Sequence, residues 1–206
     1  MQNTLTQPTS PVLSGFAATL PGKLLIGLAA TAVVAAAAHV AFPLPFTPVP
    51  FILTPLAVLG VGLALGPVAG FLTMLAYLAE GAAGLPVFSP TGFGGVAQLV
   101  GPTGGFLMAY PLVAAIAGGL TRLLSRRTSS FLAATIACTA AITVLFLGGA
   151  SWFTLYAHHS LHAVWIGAVA PFLPGEAVKV VAAAGIYSAI TKSSRSENLS
   201  ATSYKL

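Results

Sequence analysis

The sequence predicts an all-α membrane protein, a six-transmembrane-helix bundle with a Gly/Pro-rich outer loop acting as a lid. Three observations lead there. Of the 206 residues, 57% are hydrophobic and 5% charged, and mean hydropathy is +0.95, whereas soluble domains carry roughly 25% charged residues. Apolar runs recur near the length of ~20 residues that a helix needs to cross a bilayer core. When six spans are drawn, every Lys and Arg but one falls on the side of the two termini, as the positive-inside rule asks of a cytoplasmic face. The expected organisation is an N-terminal tail (1–22), a six-helix membrane domain (23–192) and a C-terminal tail (193–206), in the cell membrane with both termini cytoplasmic.

The net charge of +5 would suggest a nucleic-acid partner in a soluble chain. Here the basic residues sit at helix ends, so topology accounts for them and no nucleic-acid partner is expected. The single Cys138 excludes an internal disulfide and reads as a small packing residue. Residues 1–22 lack a basic residue and a cleavage pattern, so they do not read as a signal peptide. A surface-lying patch over 12–20 is the one ordered feature expected there.

The first span, 24–42, is nearly all Ala, Leu, Val and Gly. Gly27, Ala29, Ala32 and Ala36 recur at helical spacing. Small residues on one face let helices approach closely in lipid, so this face is either a docking surface for another membrane protein or a plain Ala-rich helix. The Pro-rich stretch 43–50 cannot form a regular helix and is expected as a stiff outer connection. A short second span covers 51–65, and Gly66-Pro67 turns the chain into the third, 68–83, which carries Tyr77 and Glu80.

The stretch 84–105 is dense in Gly and Pro, apolar and uncharged. Long loops of this kind are uncommon unless functional, and non-helical backbone at membrane depth needs protein around it or a polar cavity beside it. It is expected to be a lid or wall, with Gln98 as its polar member. The fourth span, 106–120, stops at Arg122, Arg126 and Arg127; the fifth covers 131–150. Residues 151–168 carry Trp152, Tyr156 and Trp165, as in an interfacial belt. His158 and His162 are four apart and could share a helical face, but no carboxylate or thiol lies nearby, so no metal site is expected. The sixth span covers 172–190.

The basic residue left over is Lys179, on the outer part of the sixth helix, three positions after Glu176. That spacing puts both on one helical face, and ionisable groups inside a span are usually kept for a partner, ion or substrate. An ammonium can pair an incoming carboxylate while the carboxylate accepts N–H bonds from the same molecule; alternatively the two simply neutralise each other. Tyr77, Glu80 and Gln98 are the other polar candidates at that end, Glu80 also being compatible with a snorkelling surface residue.

Gly84-Leu85-Pro86-Val87-Phe88, Gly101-Pro102-Thr103-Gly104-Gly105-Phe106, and Pro171-Phe172-Leu173-Pro174-Gly175-Glu176-Ala177-Val178-Lys179 together resemble the pattern of the BioY family. Those proteins are biotin-specific S components of energy-coupling factor (ECF) transporters, and the resemblance runs over 43–190 in order and spacing. It implies a biotin-binding subunit without enzymatic activity or cofactor, working with a transmembrane coupling protein and two ATPases that hydrolyse ATP. It further implies that Lys179 neutralises the biotin carboxylate, that Glu176 accepts the ureido N–H groups, and that Phe88 belongs to the loop covering the ring. Ala29, Ala32 and Ala36 would be the docking face. The chain departs from the family at Glu176, usually Asp, and after Val49-Pro50, where a polar Thr and Gln pair is usual and Phe51-Ile52 stand here. The Gly-rich loop also lacks the basic residue that some members carry there.

Two other classes compete. An intramembrane enzyme would need paired acids, a metal cluster or a Ser–His pair, and none is offered by spacing. A stand-alone ion-coupled carrier for biotin or another small carboxylate vitamin would usually show inverted repeats; Gly-Pro openings at Gly66 and Gly101 are the faint trace of one.

Overall fold

The computed structural model describes residues 19–158 and 160–203. The tail 1–18, with most of the expected patch, lies outside them, as do His159 and residues 204–206. The described chain is mostly helical. Its elements are α1 (Leu20–His39), β1 (Ala41–Leu44), β2 (Thr47–Ile52), α2 (Thr54–Leu65), α3 (Pro67–Ala82), α4 (Gly95–Leu99), α5 (Gly104–Leu124), α6 (Ser130–Ala157), α7 (Leu161–Val164) and α8 (Leu173–Ser203). Between α7 and α8 run a π-helical turn, Trp165–Val169, and a 3-10 turn, Ala170–Phe172. Among the described residues, four stretches are long and apolar enough to cross a membrane: α1, α5, α6 and Leu161–Ser194. The apolar helices α2 and α3 are shorter.

Local chemistry sets the ends. α1 starts earlier than hydropathy alone suggests because the Thr19 hydroxyl caps it, accepting from the Gly22 N–H at 3.2 Å, with a proline in the first turn. The Ser129 hydroxyl caps α6 likewise, accepting from the Leu132 N–H. α8 does not stop at residue 190 but continues to Ser203, since no Gly or Pro lies between 191 and 203.

The Pro-rich connection differs most from an all-helical reading. It folds into an antiparallel hairpin, β1–β2, pairing Ala41 with Ile52, Phe42 with Phe51 and Leu44 with Thr47. The register slips at Pro43, where the missing N–H removes a ladder donor. The expected second span therefore begins three residues late, at Thr54, with Pro55 in its first turn where a missing donor does no harm. α2 is ~18 Å long by helical rise, short of the ~30 Å hydrocarbon core.

α5 is the central helix, packed against α2, α3 and α6, while α8 packs on α6 and α2. α5 and α2 approach closely: a Cβ at Gly62 or Gly118 would collide with backbone across the contact. The main core includes Val58, Leu59, Met74, Tyr77, Tyr110, Val113, Cys138 and Ala184. A second cluster joins the hairpin to the irregular turns through Val49, Phe153, Val164, Ala168 and Phe172. α1 lies at the periphery against α2 and α3. At the far end of the bundle the Arg122 guanidinium donates to the Leu65 carbonyl at 3.1 Å.

Candidate ligand-binding site

The hairpin, the Gly-rich stretch and the irregular turns converge at one end around a cavity of about 640 Å³. That volume lies within the ~300–1,000 Å³ of small-molecule sites. Aromatic rings make up much of the wall: Tyr77, Phe93, Phe106, Tyr110, Phe146, Phe153, Tyr156 and Phe172. Thr54, Ser89, Thr91, Gln98 and Glu176 supply side-chain polarity.

The charged pair is built by its local sequence. The 3-10 turn delivers the chain to Leu173, and Pro174 occupies the first helical turn, where its missing N–H is tolerated. Gly175 is bare because the Phe51 ring occupies the space where its Cβ would stand. Glu176 and Lys179 then share the inward face, 5% and 4% exposed. Lys179 Nζ donates to Glu176 Oε1 at 2.5 Å and to the Ile52 carbonyl at 2.6 Å, and lies 4.3 Å from the centre of the Phe51 ring. Glu176 lies on the cavity wall, and its buried Oε2 has no hydrogen-bond partner among the described residues. Lys179 stands behind Glu176 and is not itself part of the wall. Such a buried acceptor is costly unless something donates to it.

Three of the polar candidates from sequence thus meet at the cavity: Tyr77, Gln98 and Glu176. Tyr77 donates its hydroxyl proton to the Val87 carbonyl at 2.8 Å. Gln98 accepts from the Gly94 N–H through Oε1 at 3.2 Å and donates to the Ser89 carbonyl from Nε2 at 3.4 Å, so one amide ties both halves of the Gly-rich loop. Phe88 is buried outside the wall, edge-on to Tyr77 with ring centres 5.4 Å apart, and fills the space over Gly81. Phe93 is the loop's most outward ring, 82% exposed at the cavity. Trp152, one of the aromatic residues read as an interfacial belt, is half-buried and donates its indole N–H to the Gly101 carbonyl at 2.8 Å.

Glu80 lies away from the cavity, at the contact of α3 with α1, where its Oε1 accepts from the Thr31 hydroxyl at 3.1 Å. His158 ends α6 in a left-handed conformation, φ 51°, and His162 sits in α7, so they do not share a helical face. Among the described residues no group of three His, Cys, Asp or Glu could hold a metal ion. Ala29, Ala32 and Ala36 all lie on the exposed side of α1. Sequence reasoning missed Phe51, Ile52, Phe93 and Tyr110. The departure after Val49-Pro50 was the one signal available for the first two.

The model of the BioY family matches residues 10–196. A Pyrococcus horikoshii protein named "Probable biotin transporter BioY" is 33% identical over 137 residues, covering 66% of this chain and 76% of the relative. The crystal structure of an S-component for biotin from an ECF-type ABC transporter has a TM-score of 0.75 and 26% identity to this chain, covering 82% of it and 90% of the solved chain.

Proposed function

Because the chain belongs to the BioY family, we propose that it is the biotin-binding, substrate-specificity subunit of an ECF-type transporter, a transport component and not an enzyme. In this reading the hairpin and Gly-rich loop face outward, the loop acts as the lid, and α2 and α3 complete six spans. Both termini then lie in the cytoplasm of the cell. Energy comes from partner ATPases through a coupling protein that seats on Ala29, Ala32 and Ala36 of α1.

One observation carries the ligand reading: a buried carboxylate oxygen without a partner, Glu176 Oε2, on the wall of an aromatic cavity, with an ammonium touching the same carboxylate. Charge-assisted acceptors of this kind suit N–H donors. A ureido group offers N–H donors, the complement of the unpartnered Oε2, whose carboxylate Nζ holds from behind. Since the two side chains are in contact, both serve one end of an extended ligand, and we place the ureido ring there. The ring and valeryl chain then lie among Phe106, Phe146, Phe153 and Phe172, with Tyr77 and Gln98 holding the loop above. This differs from the expectation that Lys179 takes the ligand carboxylate, and the two are separable.

The test is calorimetry on the purified, detergent-solubilised protein with biotin and with a biotin amide lacking the free carboxylate. Tight biotin binding is expected, and none would overturn the ligand assignment. With Lys179→Met, equal weakening for both ligands supports the ureido placement. Weakening confined to biotin returns Lys179 to the carboxylate.

A further inference from the structure

The last two residues of β2, Phe51 and Ile52, hold Lys179. We propose that Phe51 and Ile52 are positioning residues: together they fix the Lys179 ammonium against Glu176, and so set ligand affinity without Phe51 touching the ligand. The inference rests on the biotin-binding reading above.

An ammonium has three N–H donors and no acceptor. Two of them are spoken for, by Glu176 Oε1 and by the Ile52 carbonyl at the end of β2. The Phe51 face is presented to the same nitrogen at 4.3 Å, and such a contact is stronger in a desolvated site than on a surface. Lysine is a point charge on a flexible stem, so with one bond to its own helix neighbour alone it would have several ways to sit. The hairpin removes that freedom. Gly175 belongs to the same device, because any side chain there would expel the ring. Phe51 is not part of the cavity wall, so its influence on a ligand must pass through Lys179 and Glu176. Glu176 lines the cavity with its Oε2 buried and unpartnered, while Oε1 is held by the fixed ammonium. If the ammonium wanders, the carboxylate is free to rotate and its unpartnered oxygen is no longer held ready for a donor.

The test is a double-mutant cycle read by biotin calorimetry in detergent, using wild type, Phe51→Leu, Lys179→Met and the double variant. Loss of the π face is worth about five- to thirtyfold, so Phe51→Leu is expected to weaken binding by about that factor. On the Lys179→Met background the same change should weaken it less than about twofold, because the group being positioned is gone. Phe51→Tyr retains the face and should recover most of the affinity. Equal losses on both backgrounds, or a Phe51→Tyr variant as weak as Phe51→Leu, would mean a merely structural ring and overturn the inference. If Lys179→Met binds too weakly to measure, the Tyr and Leu pair decides alone. Wild type that fails to bind biotin refutes the ligand assignment, and the role of Phe51 with it; wild type that binds while Phe51→Leu is unaffected refutes the positioning role alone.

Discussion

The Glu176–Lys179 pair carries the residue-scale argument, because burial makes removal of one partner and removal of both very different experiments. Removing one partner of a buried pair typically costs ~3–5 kcal/mol, while replacing both by apolar groups of similar volume is often neutral or stabilising. Glu176→Gln alone removes the balancing negative charge and leaves the buried ammonium with neutral acceptors, the new amide oxygen and the Ile52 carbonyl. It is expected to lower the melting temperature in detergent and to weaken biotin binding by about a hundredfold or more. The combined Glu176→Leu, Lys179→Met protein is expected to regain wild-type stability and still not bind biotin, as thermal unfolding and calorimetry would show. A double variant that binds would remove the pair from the site altogether. Glu80 provides the contrast. It is only partly buried, with the Thr31 hydroxyl as partner, so Glu80→Gln, which keeps an acceptor oxygen, should change biotin affinity less than about twofold.

At the scale of elements, the hairpin and α8 are interlocked where Phe51 fills the space over Gly175. Gly175→Ala drives a methyl into that ring, and overpacking of this sort costs ~1–3 kcal/mol. The expected result is a less stable protein whose biotin affinity also falls, and whose hairpin amides exchange faster with deuterium. A variant with wild-type exchange and affinity would show that the hairpin is not seated on α8. This contact also marks the limit of what the sequence made legible. Apolar run length placed the cores of the helices, because a membrane span is a compositional signal. The i, i+3 spacing put Glu176 and Lys179 on one face because that is a property of any helix. The hairpin was hidden by its own prolines, which argue against central strands but are tolerated when both strands are edges. The π and 3-10 turns before α8 have no such compositional signature. Nor could spacing reveal that Ile52 and Phe51 reach Lys179, a contact that only the packing of β2 on α8 creates.

For the whole molecule, the question is whether the exposed face of α1 and the cavity act independently. α1 is the least buried of the long spans, with 17% of its most apolar window inside the fold, and its buried positions Thr31, Val34 and Ala38 lie on one side. Ala29, Ala32 and Ala36 lie on the other, exposed among Leu25, Leu28 and Val33. Lipid tails are as apolar as these side chains, so burial in the bilayer gives no reason to associate; close backbone approach across small residues does. The cavity is separate from this face: of the α1 residues, Ala38 alone contributes to its wall. Docking and ligand binding should therefore be separable by mutation. Ala32→Trp puts a large ring in the middle of the small-residue face, away from the cavity. It is expected to prevent co-purification with the coupling protein and ATPases and to abolish uptake into cells. The isolated subunit should keep biotin affinity within about twofold. If Ala32→Trp still assembles and transports, the exposed alanines are a plain lipid-facing surface. If it loses biotin binding as well, α1 is coupled to the cavity, and the Thr31–Glu80 contact that joins it to α3 becomes the first place to look, because α3 also carries Tyr77.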